Sequence, residues 1–505
     1  MESRHPAITV PPDLVPYIFP GERIINLEHI TTPPQARAPS GLRELYRLAQ
    51  AKVKNNLYEL SAPLASLAFA SATSPELHRY ETLFARDALR VAMDLIGIFP
   101  QIARTTLLTL ASVQGTVTHA GREEEPGRIP HEIRDPQDQV AKKLSSGRGW
   151  EWPYYGSVDA TPEFIRLLIT YHHRTSKTEN FLQQTYTDKD GQPCTMQTAL
   201  VRAVDWVLYR TGSNIDGLLE SKTALPHGIE NQVWKDSWDA YFHKDGRIAN
   251  HQQGVASVEV QRLAYEALLD AAYLYDAELG VADKAEELRQ RAALIRQTLF
   301  DHFWTSANGG YFVLGTDRDD QGHLRQLEVR TSNMGHLLHS RLLVGDNPQL
   351  TTYRQAIIRH LFSPAMLAAG GIRTLAADEM RFRPGAYHNG SVWLWDTYLI
   401  IKGLRRHGYH HLATTLTEKL LHVVDITRAF PEFVRGDTGP TPTINTRIVD
   451  VWDDTYARVN RIEQPPQQVQ AWSVGAIVAI RHYARTFTAP PPPDAFEQSI
   501  LAQLG

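Results

Sequence analysis

"EVQRLAYEALLDAAYLYDAE", residues 259–278, reads as a helix without a clear solvent face. Alanines and aromatic residues fall all round a 3.6-residue period, so both sides are expected to be buried. A helix of that kind belongs to the inner wall of a helical assembly. The segments around it are helical too. "GLRELYRLAQAKVKNNL" (41–57) carries Leu42, Leu45, Leu48 and Val53 on one side. The same periodicity predicts helices over 86–98, 101–114, 160–174, 196–212, 255–279, 282–303, 331–344, 350–362, 391–407, 410–427 and 467–487. Several form close pairs with short links, which implies antiparallel hairpins, about six of them, set around a common axis. The expected class is all-α, with a few short β-hairpins such as "GGYFVLG" (309–315) in the loops. No recurring signature at a fixed period supports a helical-repeat scaffold instead.

The 505 residues include 42% hydrophobic side chains, enough for one large domain, and carry a net charge of −4. That balance gives no electrostatic case for nucleic acid or an anionic membrane as partner. No stretch approaches the roughly 20 apolar residues needed to span a bilayer. The start, "MESRHPAITVPPDLVPYIFPGERI", lacks the basic head and apolar core of a secretion signal. Cys194 is the single cysteine, so neither an intramolecular disulfide nor a cysteine zinc site can form. These features favour a cytoplasmic protein, complete as it stands. Residues 1–40 read as a proline-rich segment wrapping the body, 41–488 as the helical domain, and 489–505 as a proline-led tail with a short final helix. The links 115–158, 213–254, 364–388 and 428–466 are too long for turns, and in a rigid helical frame such loops carry the site.

Acidic and aromatic residues cluster where these links meet the helices. In "NQVWKDSWDAYFHKDG" (231–246), Trp234 and Trp238 are four apart, and Asp236 and Asp239 three apart. If the stretch is helical, the two aspartates share a face and the tryptophans lie alongside. Carboxylates accept hydrogen bonds from sugar hydroxyls, and indole rings cover the apolar sugar faces. The plain alternative is a capping aspartate with core tryptophans. In "PEFVRGDTG" (431–439), Glu432 lies between Phe430 and Phe433, where partial burial would tune its basicity; alone it reads better as a surface loop glutamate. Arg86 and Asp87 open a helix in "ETLFARDALRVAMDL" (81–95). Trp393, Trp395 and Asp396 open another in "YHNGSVWLWDTYLI" (387–400), and Gln470 and Trp472 a third in "QQVQAWSVGAIVA" (467–479). Jointly these are the parts of a glycoside hydrolase, which needs one carboxyl group as acid, one as base, and groups to hold the ring.

"LFARDAL", "YYGSVDATPEFIRLL", "IENQVWKDSWDA", "SNMGHLL", "GIRTL", "YHNGSVWLWD", "PEFVRG" and "QAWSVGA" occur in that order over about 80–490. The ordered set resembles bacterial amylo-α-1,6-glucosidase-like proteins, similar to the glucosidase part of glycogen-debranching enzymes. More distantly it resembles trehalase, processing α-glucosidase, and the glucosylglycerate and mannosylglycerate hydrolases. The resemblance implies an (α/α)6 barrel and α-glycoside hydrolysis with inversion. It puts Asp239 in the slot of the general acid, with Asp236 as close rival, and Glu432 in that of the base. Arg86 and Asp87 match a pair that binds the nonreducing sugar; Tyr155, Asp159, Trp393, Trp395, Gln470 and Trp472 match other pocket positions. "RIEQPPQQV" departs from the "CPPQ"-like run of relatives, and no starch-binding or transferase module is attached. Both points favour a small α-glucoside or trimmed oligosaccharide over glycogen, with a glycosylated solute as the alternative.

No cofactor or metal is expected: "HEIRD" (131–135) lacks the second histidine of a zinc motif, and with "GRGWEW" (147–152) it reads as a loop covering the pocket. A sugar epimerase on the same barrel would need facing histidines; His251, His336 and His388 form no clear pair in the sequence. A phosphorylase would need phosphate for cleavage.

Overall fold

Local signals start and stop the helices. α1 spans Leu42–Gln50, α2 Ala85–Leu95, and α3 Pro100–Ser112 with proline in its first turn. α4 (Gln139–Arg148) is capped by Asp138, which accepts from the Val140 amide at 3.0 Å, and stops at Gly149 in the left-handed conformation. α5 (Ala160–Thr175), α6 (Met196–Gly212), α7 (Val258–Ala277) and α8 (Ala282–His302) follow. α9 (Pro348–Leu361) is capped by Asn347, α10 covers Leu394–Arg406, and α11 covers His410–Thr427. α12 (Ala471–Tyr483) and α13 (Ala495–Leu504) complete the set. The computed structural model describes residues 41–50, 53–55, 58–67, 80–444, 447–452, 458–464, 466–483 and 490–504; the segment 1–40 expected to wrap the body lies outside them.

Contacts among these elements close a ring. α2 packs on α5, α5 on α7, α7 on a 3-10 helix at Ser332–His339, that helix on α10, α10 on α12, and α12 back on α2. Each inner element has an outer partner: α3, α6, α8, α9, α11 and, for the last, α1. This is an (α/α)6 barrel. The sixth hairpin joins the first described helix to the last inner one. Gly41 makes that approach possible, since a β-carbon there would lie 2.9 Å from Val478 Cγ2. Burial follows the layers as the sequence requires: every described residue of α12 up to Ile480 is buried, whereas α8 buries one stripe.

Three expectations are corrected. The helix over 331–344 is a 3-10 helix followed by a short turn, because Gly335 and the backbone near Leu338 press against α10 too closely for an α-helix with side chains there. The helix over 41–57 ends at Gln50, and residues 53–55 and 58–60 form a hairpin. α4 lies inside the link 115–158, which the sequence reads as loop. The short strands decorate the loops as anticipated; Tyr311–Phe312 pairs with Trp304–Thr305, and Gly315–Arg318 pairs with both Val255–Ser257 and Leu324–Leu327. α13 packs on α11, where Glu497 Oε1 accepts the amides of His411 and Leu412 at 2.8 and 2.9 Å. Among the described residues no helix is long and apolar enough to cross a membrane.

Because each inner element returns through an outer one, all six begin at the same end of the barrel. Their first residues therefore meet: Arg86 and Asp87 of α2, Asp159 before α5, Glu259 of α7, Asn333 of the 3-10 helix, Trp395 of α10, and Gln470 and Trp472 at α12.

Candidate active site

The segment 231–246 is not helical, contrary to the expectation that Asp236 and Asp239 share a helix face. Neighbouring side chains claim its polar groups instead of an internal ladder. His388 Nδ1 lies 3.2 Å from the Ser237 amide and 2.7 Å from its hydroxyl, Asn231 Nδ2 donates to the Ser237 carbonyl at 2.7 Å, and Asn389 Nδ2 donates to the Asp239 carbonyl at 2.9 Å. Lys235 is fully buried, donates to the Thr374 carbonyl at 2.6 Å, and is pushed down by burial to about 8. The two tryptophans part company. Trp234 is buried; Trp238 is half-buried, as are both aspartates.

Arg86 is the hub of the acidic groups. Its Nε lies 2.6 Å from Asp159 Oδ2, and its Nη1 lies 3.9 Å from Asp236 Oδ2. Ser157 donates to the other Asp159 oxygen at 2.6 Å. Burial works to lower the Arg86 guanidinium, but Asp159 and Asp236 outweigh it and raise the net value. Asp87, its neighbour, behaves oppositely. Burial pushes its carboxyl up to about 8, Arg86 opposes that, and Asp236, Glu432 and Asp159 add to it. Burial thus favours the protonated form of Asp87, and Gln470 Nε2 donates to its Oδ1 at 3.0 Å. Asp236 and Glu432, far apart in sequence, both act on this one buried carboxyl.

Glu432 is 2% exposed, so it is no surface loop residue. Tyr387 donates its hydroxyl to Oε1, and the Gln467 amide donates to Oε2 at 3.1 Å. The Glu432 amide returns a bond to the Gln467 carbonyl at 2.7 Å, and Ser473 fixes the Pro431 carbonyl at 2.7 Å. The tripeptide Tyr387–His388–Asn389 thus grips the base candidate at one end and the 237–239 segment at the other.

Aromatic rings pack beside this acidic group. Trp395 stacks on Trp472 at 4.9 Å and meets Trp234 edge-on at 5.0 Å. The indole nitrogens of Trp234, Trp395 and Trp472, with Arg86 Nη2 and Gln470 Oε1, are buried and find no partner among the described residues. Such atoms are the donors and acceptors that sugar hydroxyls satisfy. Trp393 differs, since its indole donates to the Tyr387 carbonyl at 3.0 Å and its ring backs the cluster. Tyr155 is not brought to the site: it is fully buried, and its hydroxyl is committed to the Val113 carbonyl at 2.7 Å.

The histidines are held apart. His336 pairs with Asp396 at 2.5 Å, His388 with Ser237, and His251 with Asn231 at 2.7 Å. His131 of "HEIRD" is buried against Phe84 and Tyr154, which holds its imidazole well below the usual range. Sequence reasoning missed Tyr387, Asn389 and Lys235 as site-shaping residues. It also missed Glu123, whose positive φ of 53° in a non-glycine residue is visible only in three dimensions.

A family model described as the mannosylglycerate hydrolase MGH1-like glycoside hydrolase domain matches residues 80–444. No curated protein sequence matches the chain. Among solved structures, the GH63 mannosylglycerate hydrolase from Thermus thermophilus, crystallised with Tris and with glucose, superposes with a TM-score of 0.53 at 14% identity, over 87% of this chain and 98% of that one. An uncharacterized conserved protein from the same organism gives 0.51 at 14% identity, over 87% and 99%. At that identity the likeness is one of fold.

Proposed function

This chain belongs to the mannosylglycerate hydrolase MGH1-like glycoside hydrolase family, and on that premise we propose that it removes an α-linked glucose or mannose from a small glycosylated solute, with inversion at the anomeric carbon. The observation carrying this reading is the link that Tyr387, His388 and Asn389 make between Glu432 and the 237–239 segment, beside unpartnered indole and guanidinium donors. The ring sits among Arg86, Asp87, Asp159, Gln470 and the Trp234–Trp395–Trp472 group. Asp239 gives its proton to the glycosidic oxygen, while Arg86, 3.9 Å from Asp236, favours that residue's carboxylate, which accepts hydrogen bonds from the ring. Glu432, aimed by Tyr387 and Gln467, takes a proton from water as that water attacks the opposite face. An inverting pair needs a gap of about 6.5–9.5 Å to admit the water.

Asp239, the first choice from sequence, is kept as the acid over Asp236. What favours it is that Arg86 lies within reach of Asp236 and favours its ionised form, whereas a general acid must carry a proton. The family match favours a glycerate-type or similarly small polar aglycone over a glycogen branch. The lone cysteine is in keeping with a cytoplasmic enzyme.

The test is proton NMR of the first-formed sugar anomer during incubation with mannosylglycerate, glucosylglycerate, glucosylglycerol, α-linked disaccharides and short branched dextrins. The β anomer should appear first, from one of the small solutes and without added phosphate. The α anomer first, cleavage that requires phosphate, or release only from branched dextrins overturns the proposal.

A further inference from the structure

A second charged layer lies inside the barrel, one to three helical turns along the inner helices from the candidate site. Arg90 of α2 binds both carboxylate oxygens of Glu163 of α5, at 3.0 and 2.8 Å. Arg166, farther along α5, bridges Glu266 at 2.8 Å and Asp270 at 3.4 Å on α7. Arg341 reaches Asp270 at 2.7 Å, and Lys402 of α10 pairs with Asp94 of α2. Arg406 donates to the His339 carbonyl at 3.1 Å.

Arg262 of α7 sits among these groups and is 1% exposed, yet it has no ion-pair partner among the described residues. Its Nε and Nη1 are buried and find no acceptor there. Arg90 and Arg166 press on it from α2 and α5; Glu163 and Glu266 oppose them but are already bound by other arginines. The layer is also unbalanced. Arg90, Arg166, Arg262, Arg341 and Lys402 face four carboxylates, Asp94, Glu163, Glu266 and Asp270, a surplus of one positive charge. His339 does not offset it; burial, and then Lys402, Arg406, Arg262 and Arg166, keep that ring neutral. The strain registers on the cations themselves. Burial first, and Arg166 after it, push Arg262 down to about 10; burial pushes Lys402 down to about 8, although Asp94 opposes it.

A buried guanidinium N–H without an acceptor is among the more destabilising arrangements in a protein, and a surplus of like charge in low dielectric adds to it. A water molecule could accept the hydrogen bonds but would leave the charge. A small anion supplies both. We propose that this layer binds a monovalent inorganic anion of the halide type, held by Nε and Nη1 of Arg262 beneath the candidate active site. The anion is structural: it neutralises the floor on which Asp87, Asp159 and Glu259 stand, each three or four residues before a member of the layer.

The experiment uses the full chain, freed of halide by dialysis into sodium gluconate, and compares thermal midpoints in sodium chloride and sodium gluconate at equal ionic strength. Chloride should raise the midpoint saturably, by on the order of 1–3 °C. Arg262→Met should abolish most of that response. Crystals of the unaltered protein soaked in bromide should show an anomalous peak beside Arg262 Nε and Nη1. Equal midpoints in the two salts, a chloride response that persists unchanged in the variant, or ordered water in place of the bromide peak would each overturn the proposal. If Arg262→Met does not fold, the bromide peak in the unaltered protein decides the matter.

Discussion

Gln470, the last residue before α12, donates its side-chain amide at 3.0 Å to Asp87 of α2, 383 positions earlier in the chain. The bond is the seam where the ring of inner helices closes. It also holds a carboxyl whose protonated form burial favours.

Asp87 lies at about 8 against an ordinary 3.8. Between those values the folded chain binds a proton that the unfolded chain has lost. Its contribution to stability is therefore complete below the ordinary value and is lost as pH rises through about 8. Asp87→Asn carries a neutral amide at every pH and removes this dependence. Thermal midpoints measured from pH 5 to 9 should fall more steeply in the native protein than in the variant. Parallel curves would place the extra proton elsewhere.

The two aspartates of the 231–246 segment are separable by mutation. Asp239→Asn should reduce kcat by about 10²–10⁴-fold, the usual contribution of a general acid. Asp236→Asn should act chiefly on KM, because it removes a carboxylate that faces Arg86 and not the proton donor. The comparison uses steady-state rates on the substrate identified by the anomer assay. The reverse order would make Asp236 the acid.

Tyr387 acts through Glu432, whose Oε1 its hydroxyl holds, so it is a positioning residue. Tyr387→Phe removes the hydroxyl that aims Oε1 while leaving the ring packed on Trp393 and His388. The expected result is a loss of about 10–100-fold in kcat with KM nearly unchanged, since misplacing a catalytic group acts on the transition state. A rise in KM alone would assign Tyr387 to substrate binding instead.

The barrel is legible from residues 259–278 and their neighbours, because burial on both faces leaves its mark on composition whatever the partners are. The gathering of Arg86, Glu432 and Gln470 is legible as ordered motifs. Geometry set by tertiary contacts is not. "SNMGHLLH" has helical spacing, and only the closeness of α10 makes it 3-10. "WKDSWD" also reads as a helix turn, yet His388, Asn389 and Thr374 take its polar groups from outside. A hydrogen bond contributed by a residue 150 positions away leaves no local signature.

Glu123 anchors the loop that leads into this segment. Its Oε1 accepts the amides of Ala224 and Leu225 at 2.7 and 3.1 Å and the Thr223 hydroxyl; its Oε2 accepts from Gln232 at 2.5 Å. Gln232 in turn receives Arg128 on its side-chain oxygen at 2.6 Å and the Val158 amide on its carbonyl at 2.8 Å. Glu123 therefore ties the Asp236 loop to the chain that enters α5 at Asp159. Glu123→Gln replaces one acceptor with a donor facing donors. It should destabilise the chain by about 1–3 kcal/mol and lower kcat. Chemical denaturation and kinetics on the same preparation check both; a variant with native kcat would make Glu123 purely structural.

Gly403 of α10 decides how closely the 3-10 helix can approach. A β-carbon there would fall 2.5 Å from Leu338 Cβ and 2.8 Å from both Leu338 C and the His339 amide nitrogen. Two of those atoms are backbone, so rotating a side chain cannot relieve the clash. Ala is worth up to about 1 kcal/mol over Gly within a helix, but overpacking of this kind costs about 1–3 kcal/mol. Gly403→Ala should therefore be net destabilising. The same interface carries the His336–Asp396 pair, and the His336 ring packs on Trp234 and Trp395, so kcat should fall with stability. Gly147 of α4 is the matched control: a β-carbon there meets nothing within 4 Å, and Gly147→Ala should be neutral or stabilising. Denaturant midpoints of the two variants give the comparison. A Gly403→Ala protein as stable as the Gly147→Ala one would mean that the 3-10 helix stands off from α10, and the reason given for its departure from α-helical geometry would fail with it.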